Sequence, residues 1–165
     1  MADWHVSLHV LLAFGLTFAL GFEREIRGSA AGDRTFSLIG VATSVIGVLS
    51  AQGALTILAG AVTGVGFIGA GLLFRQSDAN IPIVHGVTTA AAILAAAGIG
   101  AAAGEGQLWL ATVATILVLL TLEMRYIPGL RMLDARHWSH YFKNDDDPHH
   151  TETVTASVTV TKTDS

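Results

Sequence analysis

The sequence contains no cysteine. That excludes a disulfide framework, a thiolate metal site and a cysteine nucleophile, and it leaves the redox compartment unread. Charge is scarce too. Asp, Glu, Lys and Arg make up 13% of the 165 residues, about half the ~25% of an average soluble domain. Hydrophobic residues make up 52%, and so thin a polar coat cannot wrap them as a water-soluble monomer or leave most of the chain disordered. There is no basic excess, so nucleic acid is not an expected partner. No phosphate-binding glycine loop, catalytic triad or His-Glu-x-x-His pair is present, so neither an enzyme nor a cofactor is expected.

What the chain has in quantity is long apolar runs. Five stand out, at residues 5–22, 36–52, 54–74, 83–104 and 108–122. Most approach the ~20 residues a helix needs to cross a ~30 Å hydrocarbon core. The fifth is short, and Trp109 and Tyr126 are placed to mark its two interfaces. Runs this long are too long for buried strands, and they lack the alternation of a membrane barrel strand. The predicted fold is all-α: a polytopic membrane helix bundle with five transmembrane helices and a short polar C-terminal tail. Its direct partner is the lipid bilayer. The first run has no basic leader and is followed by charges rather than a small-residue cleavage site, so it reads as a retained span.

Basic residues fix an expected orientation. With five spans, the joints at 23–35 and 75–82 and everything after Glu123 fall on one side. They hold all nine Lys and Arg, while the other side holds only Asp3 and Glu105. By the positive-inside rule, the amino terminus lies outside and the tail in the cytoplasm. Residues 1–125 form the five-span domain. Residues 126–143 read as an interfacial helix after the Pro128-Gly129 stop, with Leu133, Trp138, Tyr141 and Phe142 against lipid. Residues 144–165 hold five acids and one Lys and read as an acidic tail. Its Thr/Val alternation at 151–161 has no strand to pair with except in another chain.

Three segments carry candidate chemistry. In span three, Gly60, Gly64 and Gly71 fall within about 40° on a helical wheel, with Gly66 and Gly69 roughly opposite. Each glycine costs about 1 kcal/mol against alanine inside a helix. Two readings account for them: close packing at the bundle centre, or local unwinding that offers carbonyls to an ion. Span four is rich in Ala, Gly and Thr, and Thr88 and Thr89 can hydrogen-bond to a neighbouring helix or to their own. Spans three and four are therefore the expected central pair. The third segment is the first joint, with Glu23, Arg24, Glu25, Arg27, Asp33, Arg34 and Thr35. Glu23 and Arg27 stand four apart and can pair on one helix face. The cluster either anchors the helix end or forms a carboxylate-and-arginine site for an ion, a phosphate or a partner loop. Asp33 or Thr35 can cap span two, and Asn80 with Pro82 can start span four.

Lesser candidates are His9, expected to be buried and hydrogen-bonded, and Glu105, read as a solvated loop acid. The acidic run Asp145-Asp146-Asp147-Pro148-His149-His150 offers divalent-ion ligands without enforced geometry.

Four blocks in order, Glu23-Arg24-Glu25, Ala31-Gly32-Asp33-Arg34-Thr35, the stretch from Val62 to Gly71, and His85-Gly86-Val87-Thr88-Thr89-Ala90-Ala91, resemble the MgtC/SapB family across about residues 5–125. The resemblance implies a small bacterial inner-membrane protein linked to magnesium homeostasis and growth in low magnesium, and to virulence in pathogens. It implies a regulator of other membrane proteins, such as the ATP synthase or magnesium transporters. Two departures stand out. His85 occupies a position where the family more often has Arg, putting a titratable group in place of a fixed charge. Only residues 126–165 follow span five, where many relatives carry a longer soluble domain. On the residues alone, three classes stay open: a regulator, a conduit for magnesium or another small ion, and an oligomeric scaffold. The conduit lacks a mid-membrane carboxylate. Five spans are few for a monomeric conduit, which points to a homo-oligomer. Besides the charged joint, the candidate functional residues are Gly64, Gly66, Gly69, Gly71, Arg75, His85, Thr88 and Thr89.

Overall fold

The computed structural model describes residues 3–75 and 86–124. These residues form five helices and, among the described residues, no strand: α1 (Asp3–Ile26), α2 (Asp33–Ala51), α3 (Leu55–Arg75), α4 (Val87–Gly104) and α5 (Leu108–Glu123). The first four are long and apolar enough to span a membrane, and α5 is a shorter apolar helix. At ~1.5 Å per residue, 18 to 24 residues reach about 27–36 Å, the span of the hydrocarbon core. The chain divides into two units, Met1–Thr121 and Leu122–Ser165. Only residues 122–124 of the second are described, so the interfacial helix, the acidic tail and the Asp145–His150 run lie outside the described residues. So do Asn80, Pro82 and His85.

Local chemistry explains where the helices stop. The ends of α1, α2 and α4 share one device, with Gly28, Gly53 and Gly106 in the left-handed region. After α1, the Gly28 amide donates to the Glu25 carbonyl at 3.0 Å and the Ser29 amide to the Arg24 carbonyl at 3.0 Å. This pair of bonds closes a helix on its own last carbonyls, and only glycine reaches the required backbone angles without strain. Within the helices, hydroxyls bond back to carbonyls one turn earlier. Thr17 donates to Ala13 at 2.7 Å, Thr43 to Ile39 at 2.8 Å and Thr115 to Ala111 at 2.8 Å. In a medium without water, these side chains satisfy themselves locally.

The centre of the bundle lies between α2 and α4, with α1 against both. Of the apolar window of α4, 56% is buried, against 11% of that of α3. Glycine and serine let the α2 and α4 backbones approach. A Cβ on Gly100 would stand 2.6 Å from the Gly40 carbonyl oxygen, and one on Gly104 would stand 2.8 Å from the Ser44 carbonyl carbon. Leu20, Phe36, Ile93 and Ala96 fill the space around this crossing, and Ala111 of α5 joins the same core.

The expectation that spans three and four form the central pair is therefore half right. Helix α4 is central, but α3 is an edge helix. A Cβ on Gly60, Gly64, Gly66 or Gly71 would meet nothing within 4 Å, and only Gly69 faces a neighbour, with Ala90 at 3.5 Å. The physical reason is periodicity. Gly40, Ser44 and Gly47 fall on one stripe of α2, complementary to Gly100 and Gly104 on α4. The α3 glycines divide between two faces and make no such stripe against a neighbour.

Candidate functional site

The charged joint is built on the last turn of α1 and the first turn of α2. Helix α1 continues through Glu23 to Ile26, four residues beyond the apolar run. Glu23 and Arg24 therefore lie on helix rather than in a loop. Gly21 permits the arrangement: its missing Cβ would stand 2.6 Å from the Asp33 Cα and 2.8 Å from the Phe36 Cβ. The start of α2 thus rests on the α1 backbone next to the charged turn.

Glu23 and Arg24 are each only 8% exposed. The Arg24 guanidinium donates to both carboxylate oxygens of Glu23, Nε to Oε2 at 2.6 Å and Nη2 to Oε1 at 2.8 Å. Arg27 approaches the same carboxylate, its Nε 3.5 Å from Oε1. One carboxylate thus serves two guanidiniums and leaves the trio a net positive charge. The Glu23–Arg27 pairing follows the spacing read from the sequence. The closer Glu23–Arg24 fork does not, because neighbouring residues on a helix point about 100° apart. It forms because both long side chains bend into the same dry corner. Breaking such a buried pair from one side costs about 3–5 kcal/mol by leaving a charge uncompensated.

The remaining joint residues form a separate, open cleft of about 490 Å³, lined by Glu25, Gly32, Asp33, Arg34 and Thr35. Gly32 precedes α2 as its N-cap, with no side-chain cap bond. Asp33 is the first helical residue rather than the cap, and its Oδ1 accepts the Arg34 amide at 2.6 Å. Thr35 sits inside the helix and caps nothing. Gly32 is needed because the Glu25 side chain lies against it: a Cβ there would stand 2.7 Å from the Glu25 Cδ.

The other sequence candidates do not join this cluster. Gly64, Gly66 and Gly71 lie on exposed parts of α3, and the α3 glycines line none of the described pockets. Thr89 is buried and Thr88 exposed in the first turn of α4. Arg75 closes α3, and its side chain, like His85, lies outside the described residues.

A second pocket, not read from the sequence, opens where the start of α1 meets the ends of α2 and α4. It encloses about 370 Å³ and is lined by His5, His9, Gln52 and Glu105 among others. His9 is half-buried on its wall rather than enclosed in the core. Glu105 is half-buried too and accepts a hydrogen bond from Gln107 Nε2 at 3.3 Å. Among the described residues, no three His, Asp or Glu side chains are grouped to hold a metal ion.

Apolar helices of spanning length, backbone crossings mediated by glycine and charges gathered in one joint define a multi-pass helical membrane protein. Comparison with known proteins gives the family. Residues 10–127 match the MgtC family, and the chain belongs to it. Among its relatives, protein SrpB of Synechococcus elongatus is 36% identical over 152 residues, covering 82% of this chain and 81% of SrpB. YhiD of Escherichia coli K12, named as a candidate magnesium transporter, is 33% identical over 144 residues, covering 79% of this chain and 65% of YhiD. Protein MgtC of Brucella abortus is 32% identical over 120 residues, covering 70% of this chain and 49% of that protein. The chain thus spans about half to two thirds of the length of the latter two. No solved structure matches it.

Proposed function

We propose that this chain is a bacterial inner-membrane protein of magnesium homeostasis that acts by regulating other membrane proteins, not as an enzyme. Its amino terminus lies outside and its tail in the cytoplasm. Membership in the MgtC family and the name given to YhiD support the link to magnesium. The nine-to-none division of basic residues supports the orientation.

One observation favours regulation over conduction. Glu23, the one acid buried among the described residues, already faces Arg24 and Arg27. A divalent cation shedding its water needs several oxygen ligands, and a carboxylate held by two guanidiniums is not free to supply them. The joint reads better as a rigid docking corner for a partner membrane protein. Crosslinking in cells, from a photoreactive residue placed at Ile26, exposed at the end of α1 beside the Glu23–Arg27 pair, tests this. The regulator reading expects a discrete adduct with another membrane protein that disappears in Glu23→Gln. Crosslinks to lipid alone would count against it.

The second reading is a conduit for magnesium or another small ion, favoured by the name of YhiD. It expects ion flux from the purified protein, with or without a partner.

A further inference from the structure

A groove runs along the outer surface of α1 and α2 and is not used by the ion pair. Its wall is apolar: Phe14 and Phe18 stack with ring centroids 5.9 Å apart, and Leu38 of α2 lines the same space of about 350 Å³. Asp33 and Arg34 line it as well. The same two residues line the polar cleft that holds Glu25. The groove and the cleft thus adjoin at Asp33 and Arg34, with an aromatic wall in one and the charges of Glu25 in the other. Arg34 is exposed and has no ion-pair partner among the described residues.

We propose that this groove binds a phospholipid whose headgroup carries both a phosphate and a primary ammonium, phosphatidylethanolamine. The aromatic wall offers an acyl chain a fixed apolar surface. Where groove and cleft adjoin, the planar guanidinium of Arg34 matches a phosphodiester with two parallel donors. Two carboxylates stand beside it. Asp33 spends one oxygen on the Arg34 amide, and Glu25 is exposed and free to face the ammonium. One cation sharing the cleft with two acids suits a zwitterion. Phosphatidylglycerol meets the same Arg34 but sets an uncharged glycerol against both carboxylates. A fatty acid or cardiolipin adds negative charge without supplying a cation. The inference goes beyond the regulatory reading and holds equally for a conduit.

The test is native mass spectrometry of the full-length protein in detergent, titrated separately with phosphatidylethanolamine and phosphatidylglycerol of matched chains. Phosphatidylethanolamine adducts are expected to half-saturate at about fivefold lower lipid, the ratio that one charge-assisted contact near 1 kcal/mol gives. Glu25→Gln removes this preference and leaves phosphatidylglycerol retention unchanged. Arg34→Gln weakens both lipids, and Phe18→Ala weakens both equally. Glu25 and Arg34 are exposed, and unchanged elution on size exclusion confirms that their variants fold. Soluble phosphoethanolamine, which has the headgroup without the chains, leaves the adduct in place. Equal retention of the two lipids, retention unaffected by Arg34→Gln, or displacement by phosphoethanolamine alone would each overturn the proposal.

Discussion

Alanine placed at Gly100 and at Gly64 should move stability in opposite directions. A Cβ on Gly100 would stand 2.6 Å from the Gly40 carbonyl oxygen and 3.1 Å from its Cα. Those atoms are backbone, so no rotamer relieves the clash and the helices themselves must separate. Restoring ordinary contact needs roughly 0.8 Å, and a gap of 0.5–1 Å forfeits about a quarter to a half of each van der Waals contact across the crossing. Overpacking of this kind costs about 1–3 kcal/mol, more than the ~1 kcal/mol that alanine gains over glycine in a helix interior. Gly100→Ala is therefore net destabilising. At Gly64 the added methyl meets nothing within 4 Å, so only the helix-propensity gain remains and Gly64→Ala is neutral or stabilising by up to ~1 kcal/mol. Reversible unfolding in mixed micelles with increasing dodecyl sulfate, followed by circular dichroism, measures both. If Gly64→Ala proves the more damaging change, the placement of α2 and α4 at the centre is wrong.

Other outcomes follow from single contacts. Glu23→Gln and Arg24→Gln should each destabilise by about 3–5 kcal/mol, and the double variant by less than their sum, because each single change strands a buried charge. The same micelle titration supplies that cycle. The Ser50 hydroxyl is buried with no hydrogen-bond partner among the described residues, so Ser50→Ala should stabilise by about 1 kcal/mol, seen as a higher melting temperature. Gly32→Ala should displace the Glu25 side chain. Carbodiimide modification of the Glu25 carboxylate, read by mass spectrometry, should be faster in Gly32→Ala than in the wild type.

The number and placement of the helices were legible because each is a nearly uninterrupted apolar run, and lipid permits little else for such runs. Arg27 facing Glu23 was legible as well, since four residues make one helical turn. The partner of each glycine was not. Gly40 and Gly100 are 60 positions apart, and nothing in either neighbourhood marks them as facing each other. The α3 glycines are denser in sequence, yet they face mostly open space. The Arg24 fork was not legible, because residues i and i+1 diverge on a helix and only burial in the folded protein brings the two side chains together. The His5–His9–Glu105 pocket draws on three separate helix ends, which the sequence does not bring together without the fold.

Magnesium flux into proteoliposomes separates a regulator from a conduit, using the purified protein, with Arg34→Ala alongside and expression of both in a host that grows poorly in low magnesium. A regulator restores growth as the wild-type chain, while the reconstituted protein passes no magnesium beyond empty vesicles. Saturable uptake by the wild type, lost in Arg34→Ala, would contradict the regulator reading and make the chain a conduit.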